Sequence, residues 1–394
     1  LSSLFDKCYS YERAKNAIQQ GIYPYFKVIE ENHGPEVIIE GKRVIMTGSN
    51  NYLGISADPR VNEAAIKAIE RYGTTCSGSR YLNGTLTLHV ELEEQLADFM
   101  KKESALVFST GFQTNQGAIV PLMLKGDTIF CDRENHASIY DASRLSFADM
   151  KKYRHNDMEH LEEILKDDET RGGKLIVVDG IFSMSGDVSK IPEIIKFKEK
   201  YDTKVMVDDA HGIGVLGEYG RGTAEHFGLH DEIDLIMGTF SKSLASLGGF
   251  VVSESDVIDY IKHHSRALIF SASIPPANAA AAIAALKIIK SEPERRDKLR
   301  ANASKMRTGF RKLGFKVPDG ISPIVPVFMG EMETSFMFCK LLLENGVFAT
   351  PIVPPATPED ETMVRTSYMT THTEKQLDTV LEIFEKLGRQ FGLI

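Results

Sequence analysis

Short apolar runs rich in β-branched residues recur through the middle of the chain, at 104–109, 127–131, 174–182, 204–209, 234–240 and 249–252. Continuous apolar runs of this length predict strands buried on both faces. Between several of them, 89–101, 158–165 and 191–200 space their apolar residues as an amphipathic helix does, the last following a turn-like SMSGD. Strand–helix alternation predicts an α/β domain with a mainly parallel sheet. The alanine-rich stretch 276–290 predicts a long, closely packed helix that opens on Pro276, where a missing N–H costs little. Beyond it, charged amphipathic segments (292–313, 334–344 and 373–391) alternate with strand-like runs near 323–328 and 363–367, an α+β pattern. The expected organisation is an N-terminal helix and arm over 1–45, a large α/β domain over 46–289 and a smaller α+β domain over 290–394. The arm is too small to hold a core of its own and is expected to pack on the body or on a partner subunit. No internal repeat is visible.

Composition narrows the function classes. With 394 residues, 42% apolar and 26% charged, the chain is globular rather than disordered or fibrous. Lys plus Arg number 46 against 55 for Asp plus Glu, and a net charge of −9 offers no global positive field to nucleic acid or an anionic membrane. Cys8, Cys76, Cys131 and Cys339 lie far apart without a CxxC pair, against both a disulfide framework and a structural zinc site; no metal is expected. Residues 1–13 lack the apolar stretch of a signal peptide, and no uninterrupted apolar run reaches the ~18 residues a bilayer span requires. A reducing cytoplasm is the expected location, with peripheral contact at the inner membrane left open.

Candidate chemistry gathers at strand ends. Gly212-Ile-Gly214-Val-Leu-Gly217 is a formal GxGxxG after the strand KVMVDDA, but a dinucleotide site needs its third glycine to open a helix, and here a glycine-rich loop continues to Gly222. The same strand ends in Asp208-Asp209-Ala210-His211, at the carboxyl edge where open α/β sheets bind ligands; capping a turn is the bland alternative for both acids. Lys242, between an apolar strand and the small residues 243–249, either snorkels to water or sits part-buried with a depressed pKa suited to amine chemistry. A carboxylate and an amine converging from neighbouring strands suit pyridoxal 5'-phosphate (PLP), whose aldehyde takes a lysine and whose ring nitrogen wants an acid. The hydroxyls of Thr239 and Ser241, and the strand-to-helix junction STGFQTN at 109–115, suit its phosphate. His136, after the strand TIFCD, either lies on an aromatic cofactor ring or is an ordinary structural histidine. HExxH, GxSxG and GxxxxGK[ST] are all absent, so metalloprotease, α/β-hydrolase and P-loop readings lack support.

Taken in order, SNNYLG (49–54), GSRYLNGT (78–85), STGFQTN (109–115), NHAS (135–138), VDDAHGIGVLGEYGRG (207–222), GTFSKSLASLGGF (238–250) and SASIPP (271–276) resemble the α-oxoamine synthases, a family of fold-type I PLP enzymes, across nearly the whole chain. The resemblance implies decarboxylative condensation of an amino acid with an acyl-CoA on a homodimer. It assigns Lys242 to the Schiff base, Asp208 to the pyridinium nitrogen, His136 to stacking on the ring and His211 to the ring hydroxyl. The phosphate falls to Gly111, Phe112, Thr239 and Ser241, completed by Ser271 or its neighbours from the other subunit. Arg365, assisted by Asn51, is assigned the substrate carboxylate. Within the family, TFSKSLASLGGF is most similar to bacterial members that join L-serine to palmitoyl-CoA, whereas members using glycine with acetyl-CoA or alanine with pimeloyl-CoA usually carry a TLGKA-like sequence. PPATP at 354–358 resembles a mobile loop of the serine-using members. Val353 precedes it where some of them carry arginine, leaving the carboxylate to Arg365.

Overall fold

The computed structural model describes residues 3–354, 356–357 and 361–394; Pro355 and Pro358 of the PPATP motif lie outside the described residues. The chain divides into two compact units, one of Leu1–Ser49, Asn302–Asp319 and Ile324–Ile394, the other of Asn50–Ala301 with Gly320–Pro323.

The Asn50–Ala301 unit is built on a seven-stranded sheet in the spatial order Ser104–Phe108, Gly249–Ser253, Leu235–Thr239, Lys204–Asp208, Lys174–Asp179, Thr128–Asp132 and Asp149–Tyr153. From Leu235–Thr239 to Asp149–Tyr153 every pairing is parallel. Gly249–Ser253 runs antiparallel to both its neighbours. The reason is its connection: residues 240–248 are fewer than the roughly twelve that a parallel crossover needs. The interior strands are apolar on both faces, as in Leu175, Ile176, Val177 and Val178, all buried; helices Gly111–Leu122 and Ala137–Leu145 cover the face that carries Leu175 and Val177. Asp149–Tyr153 (DMKKY) gave no apolar signal because it is the edge strand, where lysines oppose further pairing. Helix Pro276–Ser291 buries Ala279 to Ala282 and Ala285 and begins, as expected, at proline. The parallel arrangement delivers Asp132, Asp179, Asp208 and Thr239 to one edge of the sheet.

The other unit contains the hairpin Glu36–Ile39 and Lys42–Met46, which the strand Val347–Phe348 joins in parallel. A second sheet orders Ile324–Gly330, Thr362–Ser367 and Thr350–Ile352. Helices Met332–Glu344 and Glu374–Phe391 help to enclose a core in which Phe310, Phe338 and Phe384 meet, with the Phe310 and Phe384 ring centroids 4.7 Å apart. No helix of the described residues is long and apolar enough to cross a membrane.

Candidate active site

At the carboxyl edge of the seven-stranded sheet, Asp179 and Asp208 stand opposite each other in register. Both are buried. Asn115 Nδ2 donates to Asp208 Oδ2 at 2.7 Å and the Ala210 N–H donates to Oδ1 at 3.1 Å, which fixes the orientation of this carboxylate. Asn115 Nδ2 also donates to Ser138 Oγ at 2.8 Å, and Ser138 Oγ lies 2.7 Å from His136 Nδ1. His136 Nδ1 also accepts the Ser138 N–H at 3.3 Å, which makes it an acceptor for the serine hydroxyl as well, so acid and imidazole are oriented through one amide. Asp179 accepts the His136 N–H at 3.2 Å. Burial, reinforced by the charge of Asp208, pushes the Asp179 carboxyl well above the usual carboxylate range.

His136 caps helix Ala137–Leu145 and sets its ring edge-on to Phe112, with centroids 6.3 Å apart. Burial pushes the His136 ring below its ordinary pKa, opposed in part by Asp208 and assisted by Lys242. It therefore offers a neutral aromatic face. His211 follows the strand Lys204–Asp208, and its Nδ1 lies 2.7 Å from the hydroxyl of the fully buried Tyr52. Lys242 is carried by the tight turn after Leu235–Thr239, closed by the Phe240 N–H to Gly248 O at 2.9 Å and the Ser246 N–H to Phe240 O at 2.8 Å.

An anion cradle forms where Ser104–Phe108 meets helix Gly111–Leu122. Thr110 caps the helix by accepting the Gln113 N–H at 3.1 Å, so Gly111 and Phe112 present N–H groups with no partner inside the helix. Thr239 Oγ1 and Ser241 Oγ, 3.0 Å apart, stand beside them. A Cβ on Gly111 would lie only 2.7 Å from Thr239 Oγ1, so this approach requires glycine.

Gly111, Phe112, His136, Asp208, His211, Thr239, Ser241 and Lys242 line one cavity of about 220 Å³, joined by Asn115, Ser138, Asp179 and Ser183. Ser271 is one step removed, its hydroxyl accepting from Gln113 Nε2 at 3.0 Å within the same chain. Asn51 caps a turn, accepting the Ile55 and Ser56 N–H groups and donating to Ser56 Oγ at 2.8 Å. Arg365 belongs to the other unit, buried on Thr362–Ser367 in register with Pro326 and Thr350. Asp179, Asn115 and Tyr52 escaped the sequence reading. Asp179 had a usable signal, since it ends LIVVD as Asp208 ends KVMVD.

The donor set fits PLP: an amine, a held carboxylate, a neutral imidazole and an anion cradle around one cavity. The buried Asn115 Oδ1, without a hydrogen-bond partner among the described residues, adds a polar atom in the cavity wall. The GxGxxG has a different explanation. Its loop folds around Asp209, whose carboxylate accepts the Thr223 N–H at 2.6 Å and the Thr223 hydroxyl at 2.7 Å. The next helix begins only at Thr223.

The model of the family described as "Aminotransferase class I and II" matches residues 42–384. The chain belongs to that family. Among its relatives here, serine palmitoyltransferase (SPT) of Bacteroides thetaiotaomicron is 48% identical over 391 residues, 99% of each chain. 8-Amino-7-oxononanoate synthase of Thermoanaerobacter pseudethanolicus is 43% identical over 396 residues, 100% of each. A solved structure of SPT with a PLP internal aldimine superposes with a TM-score of 0.96 at 36% identity, covering 100% of both chains. Family and fold agree with the resemblance carried by the sequence motifs.

Proposed function

We propose that this protein is a PLP-dependent acyltransferase that condenses L-serine with a long-chain acyl-CoA, palmitoyl-CoA in the first instance, releasing CoA and CO2 and giving 3-ketosphinganine. The observation that carries the reading is the convergence of Lys242 and the Asn115-held Asp208 on one cavity with an anion cradle. Full-length identity of 48% to a serine palmitoyltransferase supports the substrate pair.

Bound PLP supplies an electron sink for the substrate's α-carbon. Lys242 Nζ would hold the cofactor and serve as the general base that takes the substrate's α-proton and later returns it. Asp208 holds a proton at the ring nitrogen, kept in place by Asn115 and Ala210. The neutral ring of His136, fixed by Ser138, orients the cofactor face. The Gly111 and Phe112 N–H groups, with Thr239 and Ser241, hold the phosphate. Arg365 is assigned the substrate carboxylate, with Asn51 assisting. We further propose a homodimer, in which the Ser271 segment reaches the partner's phosphate. Its amphiphilic substrate favours a cytoplasmic enzyme working at the inner membrane surface, which flotation with anionic vesicles would check.

The condensation is tested by incubating purified protein with serine, glycine or alanine against palmitoyl-, acetyl- and pimeloyl-CoA and reading products by mass spectrometry. A mass for 3-ketosphinganine that Lys242→Ala abolishes together with the visible cofactor absorbance is expected. Arg365→Ala should raise KM for serine at least tenfold. The 43% identity to an 8-amino-7-oxononanoate synthase makes alanine with pimeloyl-CoA the second reading, and product from that pair alone would replace the first.

A further inference from the structure

Tyr52 is fully buried, contacts His211, and has no part in the assignments above. Its hydroxyl donates to Asn50 Oδ1 at 3.1 Å and lies 2.7 Å from His211 Nδ1. Asn50 and Tyr52 are already joined by a local turn, the Tyr52 N–H donating to Asn50 O at 2.8 Å, so the pairing of their side chains is built into the sequence Asn50-Asn51-Tyr52. A phenol has one proton. If it goes to the amide oxygen, which can only accept, the contact to His211 must be made by a proton on Nδ1. A neutral imidazole with its proton on Nδ1 carries a lone pair on Nε2, and His211 lines the cavity.

We propose that Tyr52, held by Asn50, is a positioning residue that fixes His211 as the Nδ1–H tautomer, so that the imidazole meets the cofactor as a hydrogen-bond acceptor. The inference rests on the reading that the cavity binds PLP with its ring hydroxyl at His211. An acceptor facing the ring hydroxyl keeps that hydroxyl protonated, whereas a donor there would favour its ionised form. Through Tyr52, two side chains outside the cavity lining thus set a charge state inside it.

The test is nitrogen NMR of the holoenzyme labelled with ¹⁵N-histidine, with His211→Gln identifying the signal. The expected result is His211 Nδ1 in the protonated range and Nε2 in the unprotonated range. Asn50→Ala removes the acceptor and turns the phenol proton towards Nδ1, so the two resonances should exchange ranges and the cofactor absorbance should move to longer wavelength. Asn50→Asp keeps an acceptor and should restore the wild-type pattern. A proton on Nε2 in the wild type overturns the proposal, as do resonances and absorbance that stay put in both Asn50→Ala and Tyr52→Phe. The wild-type measurement does not depend on any variant folding. Absence of a cofactor band would refute the PLP reading and leave the tautomer still measurable.

Discussion

At Asp209 a single buried carboxylate organises several stretches of backbone. A Cβ at Gly180, Gly212 or Gly222 would run into it, and its two oxygens are occupied by the Thr223 N–H and hydroxyl. Gly212→Ala is therefore expected to cost stability, about 1–3 kcal/mol by overpacking, read as a lowered urea midpoint at unchanged slope. A nicotinamide site would respond differently, losing dinucleotide affinity at nearly constant stability. Several residues that line the cavity were legible because each breaks a local pattern: Lys242 among small residues, Asp208 at the end of an apolar strand, His136 after another. Asn115 was not, since an amide on a helix has no pattern to break. Its importance comes from donating to Asp208 and Ser138, which are 93 and 23 residues away in sequence.

Elements, in turn, are tied at the same sheet edge by His155. It follows the edge strand Asp149–Tyr153 and is held from both sides, Nδ1 3.1 Å from Asp132 and Nε2 3.1 Å from Asp187. Asp132 ends the strand that leads to His136, and Asp187 lies in the loop after Lys174–Asp179 that also carries Ser183. Burial alone would push the His155 pKa down, but the hydrogen bonds to Asp132 and Asp187, with the charge of Glu134, raise it from 6.5 to about 10. A folded value above the ordinary one means that the stabilisation is complete below pH 6.5 and is lost as pH rises through 10. His155→Gln should lower stability at neutral pH by about 2 kcal/mol and flatten its decline between pH 7 and 10, measured by urea unfolding across that range. Most elements could be read in advance because interior strands are apolar on both faces and helices repeat every third or fourth residue. The edge strand and the reversal at Gly249–Ser253 could not, because one depends on facing solvent and the other on the shortness of a connection.

The Asn50–Ala301 unit leaves large apolar side chains exposed, Leu82 at 80%, Phe147 at 79% and Phe270 at 74% among them. A partner subunit in the proposed homodimer would give such side chains an apolar neighbour in place of water. Light scattering should accordingly return twice the chain mass of 43.8 kDa, and a mass of 43.8 kDa at micromolar concentration would reject the dimer. By itself the sequence determined the α/β class, the alternation of interior strands and helices, and the residue types that gather on the cavity, since these follow from local periodicity and from chemistry concentrated at strand ends. Only the tertiary structure decided that the hairpin Glu36–Ile39 and Lys42–Met46 pairs with Val347–Phe348. It alone decided that Asp179 stands beside Asp208, that one amide orients both acid and imidazole, and that the glycine-rich loop wraps a carboxylate. These outcomes depend on which distant segments become neighbours, and periodicity along a chain carries no information about that.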